Sequence, residues 1–382
     1  MNKRIRLGMV GGGQGGFIGA VHRIAARLDD RYELVAGSFS SNPERGDASA
    51  AELHVAPERS YANFTEMAEK EAAREDSIEA VSIVTPNHLH YEPTLAFLKA
   101  GIHVICDKPV TTTLAEAKAL QKAIADSGRL FVLTHNYTGY PMVRQMRAMV
   151  QDGLLGKLRH VHVEYAQDWL SQAVEKQGAK GAEWRTDPAR AGSGGAIGDI
   201  GTHAYNIATF VTGETPSSLL ADLSSFVEGR VLDDSANILL RYENGAKGML
   251  WASQVAVGNE NHLALRIYGD KGGLEWNHER VNELRYTSYG KPMQTLTRNG
   301  SGALAASTRV SRVPSGHPEG YLEGFATIYR EAANAIIAAR TGAYPDAAVI
   351  YPSIKDGIEG LAFIEAAIRS SRNGAVWTEI ER

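Results

Sequence analysis

Apolar residues follow two rhythms along this chain, and each predicts a different architecture. In the first third, short apolar runs alternate with stretches of helical spacing. Ile5, Leu7 and Met9 alternate with small or polar residues, and Val10 closes a strand. Val21, Ile24, Ala25 and Leu28 then recur at helical spacing. Leu34 to Ala36, Ala80 to Val84, His103 to Cys106 and Leu130 to Leu133 read as further buried strands. Pro93 opens a helix and Gly101 ends it. Thr113 and Glu116 form a capping box for a helix that turns Leu114, Ala117, Leu120 and Ile124 inward and stops at Gly128. Strand and helix alternating through residue 135 predict a parallel, doubly wound sheet.

From Leu158 the apolar residues alternate instead. Leu158 to Ala166, Ser217 to Val227, Ala236 to Tyr242, Ala246 to Gln254 and Leu263 to Tyr268 read as long strands. Asn244-Gly245 is a hairpin turn between two of them, and Gly269 to Gly273 is another turn. Helices are expected near 141–152, 199–212, 320–340 and 355–371. The pattern gives an α/β chain with two domains, 1–135 and 136–382, the second of α+β type with a large, mostly antiparallel sheet. A chain of 382 residues is long enough for two cores. A sheet face rich in Val, Leu and Trp favours pairing of subunits.

Composition narrows the function classes. With 43% hydrophobic and 22% charged residues the chain looks soluble and globular. Its net charge of -4, without a basic stripe, argues against nucleic acid or a membrane surface as partner. Cys106 is the one cysteine, so no intramolecular disulfide forms, which fits a reducing cytoplasm. No apolar segment reaches the length of a signal core or membrane span.

The chemistry-bearing residues gather in loops after strands. Six of the nine residues from Gly11 to Gly19 are glycine, between the first strand and first helix. That context is what a dinucleotide fingerprint requires, since bare backbone lets N–H groups approach a pyrophosphate at a helix N-terminus. Gly11, Gly13 and Gly16 match, with Gln14 among them, and Gly19 competes for the third glycine. The second strand ends without the acid that usually bonds a ribose 2′-OH; Ser40, Ser41 and Arg45 stand there instead, which permits NADP and does not exclude NAD. Thr85, Pro86, Asn87 and His90 follow the third strand, Asp107 and Lys108 the fourth, and Asn136 and Tyr137 the fifth. In a parallel sheet these loops open on one edge, so all of these residues but Tyr137 are expected at the cofactor. Lys108 falls just past a strand's carboxyl end, where reactive groups of open α/β sheets sit, and Pro109 restrains the backbone presenting it. A surface lysine in an ordinary loop has the same local sequence.

One later stretch resists a structural account: Gly192 to His203, with Asp199 and His203 four apart. On a helix starting near Asp199 the two share a face, and an acid beside an imidazole makes a general base. The bland alternative is that Asp199 caps a helix and His203 is an ordinary buried histidine. Two ligands without a third at suitable spacing make a metal site unlikely here.

The glycine loop, Thr85-Pro86-Asn87-His88, Asp107-Lys108-Pro109 and Gly198-Asp199-Ile200-Gly201-Thr202-His203, in that order, resemble the glucose–fructose oxidoreductase / inositol dehydrogenase / MocA (Gfo/Idh/MocA) family over nearly the whole chain. That family's usual tripeptide is Glu-Lys-Pro; Asp107 replaces the Glu, and Lys108 is retained. The resemblance implies a Rossmann domain, then an open-faced sheet domain that builds homodimers or homotetramers. It also implies Lys108, Asp199 and His203 as the catalytic group, with a sugar, cyclitol or glycoside bound between the domains. Tyr137, Asp168, Trp184, Arg185 and His317 are candidates for gripping its other hydroxyls; Arg185 equally reads as a structural residue bonding the glycine-rich 192–195 loop. His22 and Cys106 read as packing residues. The expected activity is NAD(P)-dependent oxidation or reduction of a secondary hydroxyl. Two alternatives share these features: a glycoside hydrolase that works through transient oxidation on NAD, and a non-catalytic nucleotide-binding sensor. A sensor should have lost the Lys or the His, and this chain has both.

Overall fold

The computed structural model describes residues 4–381 as two compact units. In chain order the first comprises β1 (Ile5–Gly11), α1 (Phe17–Leu28), β2 (Tyr32–Ser38), α2 (Pro43–Glu52), α3 (Phe64–Ala72), β3 (Ala80–Val84), α4 (Tyr91–Lys99), β4 (His103–Cys106), α5 (Leu114–Ser127) and β5 (Phe131–Leu133). All five strands run parallel in the order β2-β1-β3-β4-β5. The chain reverses direction across the sheet between β1 and β3, the switch point at which open α/β sheets bind ligands. The local signals read as expected: Thr113 and Glu116 form the reciprocal box on α5, and Gly128 ends it in the left-handed region. The short helices α2 and α3 are more polar overall and escaped the sequence pattern. Their starts are nevertheless capped by Asn42 and Asn63.

The second unit begins with α6 (Pro141–Gln151), β6 (Leu158–Ala166), α7 (Lys180–Arg185), α8 (Pro188–Ala191), a single π turn at Ile197–Gly201, and α9 (Thr202–Thr212). There follow β7 (Pro216–Ser224), β8 (Ser235–Tyr242), β9 (Lys247–Ser253), β10 (His262–Gly269), β11 (Gly272–Asn277), β12 (Glu283–Ser288), β13 (Gln294–Thr297) and α10 (Ala305–Thr308). The chain ends with α11 (Tyr321–Arg340), α12 (Ile354–Arg372) and β14 (Thr378–Glu379). Nine strands form one sheet in the order β13-β12-β11-β10-β6-β9-β8-β7-β14. Every pair in it is antiparallel except β6 with β9. Along β8 burial alternates residue by residue, so one face packs inward and the other carries Asn237, Leu239 and Arg241 outward. Strands β11 to β13 were not marked by the sequence pattern because they are short and turn only Leu274, Trp276 and Leu284 fully inward.

One allegiance differs from the reading by sequence position. Residues 136–382 read as one domain, yet Tyr321–Ile358 belongs with the first unit. Phe325, Ile328, Tyr329, Ala332, Ala333 and Ile336 of α11 are buried in one cluster with Ile5, Leu7, Val21 and Ala25. Burial of each large aliphatic side chain contributes roughly 1.5–3 kcal/mol, which suffices to hold a helix far from its partners in sequence. Tyr329 also makes three polar contacts there. Its carbonyl accepts from Tyr32 Oη at 2.9 Å, and its hydroxyl meets His22 Nδ1 at 2.8 Å and Ser82 Oγ at 2.7 Å. His22 and Cys106 are fully buried, as packing residues should be.

Candidate functional site

In the first unit the polar loops converge at the carboxyl edge of the sheet, and hydrogen bonds join them. Asp107 N–H donates to Ile83 O and Thr134 N–H to Cys106 O, carrying the parallel pairing past the strand ends. Asp107 Oδ1 accepts from Lys108 N–H at 2.8 Å and from Thr134 Oγ1 at 3.0 Å. His90 lies fully buried between two loops, with Nδ1 2.7 Å from Pro109 O and Nε2 2.8 Å from Thr85 O. Burial outweighs the favourable charge of Asp107 and keeps its pKa below the ordinary histidine value. His90 is therefore a bracket between the loops, its ring set between the Pro109 and Thr85 carbonyls and donating to one of them when neutral. Burial and the Lys108 charge push the neighbouring His135 down to about 3, so it is neutral at any physiological pH. Lys108 itself is partly exposed, directly after β4, and its peptide to Pro109 is cis.

The glycine loop fits a dinucleotide's pyrophosphate. Gly16 caps α1 without any side-chain hydrogen bond, and no acid occupies the first turn, so the helix's positive end meets no competing charge of its own. Gly11 and Gly12 adopt φ of 80° and 70°. The competition for the third glycine is decided by packing. A Cβ on Gly19 would lie 2.6 Å from Gly12 O, whereas on Gly16 its closest neighbour, Gly13 O, would be 3.2 Å away. Gly19 thus permits the close approach of α1 to the loop. Ser49 Oγ accepts from Gln14 N–H at 3.0 Å, a contact that no motif marks. After β2, Ser40 Oγ accepts from Asn42 N–H and Asn42 Oδ1 accepts from Arg45 N–H, so this loop is organised by the start of α2. Asn87 and Asn136 are both buried at this edge, and Asn136 Nδ2 finds no partner among the described residues. A buried donor of that kind is available to a ligand or an ordered water.

In the second unit the Gly192–His203 stretch folds around Asp199. An α-helix starting near Asp199 was expected; instead Asp199 sits in the π turn, and α9 follows from Thr202. Such turns are rare and concentrate at functional sites. Asp199 Oδ2 accepts from Arg185 Nε at 3.0 Å and from Gln254 Nε2 at 2.9 Å. Arg185 donates also to Gly181 O at 2.9 Å and lies over the Trp184 ring at 4.1 Å, with Trp169 at 5.8 Å. The loop-bonding role considered for Arg185 is therefore replaced by a bond to Asp199. His203 is buried, its ring 6.2 Å from that of Tyr165. A polar chain runs beside it: Trp169 Nε1 donates to Gln167 Oε1 at 3.0 Å, while Gln167 Nε2 and Tyr165 Oη both donate to Asn261 Oδ1, at 2.7 and 2.8 Å.

The remaining candidates are placed unequally. Tyr137 is buried in the single turn Asn136–Gly139 that follows β5 in the first unit. Asp168 Oδ2 accepts from Gly258 N–H at 3.1 Å, shaping the loop after β6. His317 is exposed on a loop built around the buried pair of Arg298 and Glu319, 3.0 Å apart. Arg298 also donates to the carbonyls of Val313, Pro314 and His317. Gln254, Trp169, Tyr165, Gln167 and Asn261 were missed by sequence reasoning. No local signal marked them, since each gains its meaning from partners distant in sequence. Among the described residues no group of three His, Cys, Asp or Glu is disposed to hold a metal ion, and no helix is long and apolar enough to cross a membrane.

Comparison with known proteins identifies the family. Residues 5–137 match the oxidoreductase family's NAD-binding Rossmann fold, and residues 143–275 match the GFO/IDH/MocA C-terminal domain. The chain is 38% identical to the uncharacterized oxidoreductase YfiI of Bacillus subtilis (strain 168), over 100% of this chain and 98% of that one. A crystal structure of an oxidoreductase from Sinorhizobium meliloti superposes with a TM-score of 0.90 at 56% identity, covering 99% of this chain and 100% of that one. An inositol dehydrogenase homolog from Azotobacter vinelandii, complexed with NADH and myo-inositol, gives a TM-score of 0.93 at 36% identity, covering 99% and 98%. The chain belongs to the Gfo/Idh/MocA family of oxidoreductases, with that family's NAD-binding Rossmann domain followed by its C-terminal domain.

Proposed function

We propose that this oxidoreductase acts on one secondary hydroxyl of a cyclitol or sugar, with Lys108, Asp199 and His203 as its acid–base group. The observation that carries the reading is the π turn in the second unit. It sets an acid gripped by two donors one turn ahead of a buried imidazole, within a chain of this family. Myo-inositol bound with NADH in a relative of 36% identity supports the substrate class.

Each residue has a separable task. His203 takes the hydroxyl proton in oxidation and returns it in reduction. Asp199 orients the imidazole and favours its protonated form as the proton arrives. Lys108 donates a hydrogen bond to the same substrate oxygen and stabilises the negative charge that develops there. Trp169 and Trp184, flanking Arg185, offer flat apolar surfaces against which the C–H face of a sugar ring packs. A bound nicotinamide supplies the hydride acceptor or donor. The glycine loop, Asn87 and Asn136 hold that cofactor, and the end of β2, lacking an acid, admits NAD or NADP.

The test is steady-state turnover of myo-inositol, levoglucosan and a panel of other sugars and polyols with NAD and with NADP. His203→Ala and Lys108→Ala should each lower turnover by about 10²–10⁴-fold with the melting temperature unchanged. Near-normal turnover in either variant removes that residue from the assignment. We further infer that the outward sheet face pairs subunits, since Leu239 and Met249 stand directly opposite each other there, both more than 40% exposed.

A further inference from the structure

The π turn that carries Asp199 is held from a distance by residues outside every motif. Asp233 and Asp234, just ahead of β8, point to opposite sides. Asp233 Oδ1 accepts from Gly195 N–H at 2.7 Å and its Oδ2 from Ile197 N–H at 2.8 Å, while its carbonyl accepts from Ala196 N–H at 2.8 Å. These contacts leave no slack, because a Cβ at Gly195 would overlap the Asp233 carbonyl oxygen. Asp234 turns the other way: its carboxylate accepts from Phe226 and Val227 N–H and pairs with Arg230 at 3.2 Å. The Asp234 carbonyl accepts from Gln254 N–H at 2.8 Å, and the Gln254 side chain donates to Asp199 Oδ2 at 2.9 Å. The bonds therefore close a ring, from Asp233 to the backbone at 195–197, through the π turn to Asp199, across to Gln254 and back to Asp234.

We propose that Asp233 and Gln254 are positioning residues that fix the place and angle of the Asp199 carboxylate. The proposal rests on the reading of Asp199 and His203 as the acid–base pair. The physical reason lies in how helices start. The first N–H groups of a helical segment have no partner within it and normally find a side chain at the cap. The π turn has no such local cap. Its entering N–H groups go instead to a carboxylate just ahead of strand β8 of the sheet, 38 and 36 residues away in sequence. The turn's orientation is thus taken from the sheet rather than from its own sequence. Burial pushes the Asp233 carboxyl up to about 6 against the downward pull of the Ile197 and Gly195 N–H groups, so it is ionised at neutral pH and both oxygens accept. Gln254 contributes a neutral donor to Asp199, adding a bond without adding a charge.

Two readouts on the full chain test this. Hydrogen exchange of the 195–203 peptide, in protein without added ligand, should speed up about tenfold or more in Asp233→Asn, with the strands of the first unit unchanged. An asparagine must turn an N–H₂ toward one of the two N–H groups, which loses that acceptor. Asp233→Asn and Gln254→Met should each lower kcat by about tenfold to a hundredfold, with KM for NAD within about threefold of wild type. The assay uses NAD with myo-inositol or levoglucosan, whichever the wild type turns over. Gln254→Met removes only a side-chain donor and carries the kinetic arm if Asp233→Asn does not fold. Wild-type exchange at 195–203 in Asp233→Asn overturns the proposal. So does a kcat within about twofold of wild type in both variants while His203→Ala is inactive. Wild-type turnover in His203→Ala, or none from the wild type with either alcohol, counts instead against the acid–base reading; the exchange readout still decides whether Asp233 holds the turn.

Discussion

Arg185 and Asp199 form an ion pair, Nε to Oδ2 at 3.0 Å, with the guanidinium face on the Trp184 ring at 4.1 Å. The pair changes what the Asp199–His203 spacing means. A dyad four residues apart could be a local accident, but an acid gripped by a guanidinium stacked on indole has its orientation over-determined. Lysine reproduces the charge and neither the planar fork nor the stacking. Arg185→Lys should therefore lower kcat by about tenfold or more, with the affinity for NAD, measured by titration, unchanged. An Arg185→Lys enzyme with wild-type kcat would make the pair a surface feature of no consequence to catalysis.

The close approach of Gly19 to Gly12 predicts a different phenotype. Gly19→Ala places a methyl group against backbone that has nowhere to go. Overpacking of this kind costs about 1–3 kcal/mol, so urea denaturation should show a loss of that order. The displaced helix start should also abolish the rise in melting temperature that NAD produces in the wild type. Gly16→Ala, with a looser contact, should keep more of both.

His103 makes stability depend on pH. Its Nδ1 accepts from Leu130 N–H at 2.9 Å, so the ring must be neutral in the fold. Burial, helped by Arg129, pushes its pKa down to about 4 from the ordinary histidine 6.5. The unfolded chain then takes the proton more readily, so the stability this ring contributes is complete above about 6.5 and is lost as pH falls toward 4. Between roughly pH 7 and pH 5 the loss should be about 2 kcal/mol. His103→Gln keeps an acceptor and does not titrate, so its urea midpoint should fall less over the same interval. A variant whose midpoint tracks the wild type at every pH would exclude His103 as the source.

The outward face of the large sheet should matter to assembly. Leu239 of β8 and Met249 of β9 are opposite each other and exposed. Leu239→Lys with Met249→Lys puts two like charges at one cross-strand pair, which is unfavourable in the subunit and more so against a second copy. Light scattering after size-exclusion chromatography should show a multimer for the wild type and smaller species for the double variant. A wild-type monomer would remove this face as an interface.

Much of the architecture is legible in the amino-acid order, because it rests on local chemistry. The strands of the first unit, the Thr113–Glu116 box, the left-handed Gly128 and the Asn244-Gly245 hairpin each depend on residues a few positions apart. The position of Lys108 follows from β4 ending at Cys106, again a local fact. Residues whose meaning depends on distant partners were silent. Nothing near residue 233 or 254 marks either as a neighbour of the Asp199 turn; the Gln254–Asp199 bond spans 55 positions.

The amino-acid order alone determined two alternating rhythms, hence two kinds of sheet, and the set of polar residues after each strand of the first. Tertiary structure alone decided that α11 packs with the first unit, that β6 and β9 run parallel, and that Asp199 rides a π turn. Helix and strand periodicity come from contacts within a few residues, which a linear pattern records. Which buried faces, carboxylates and N–H groups meet across dozens of residues is set by the joint packing of all elements, and no window along the chain contains it.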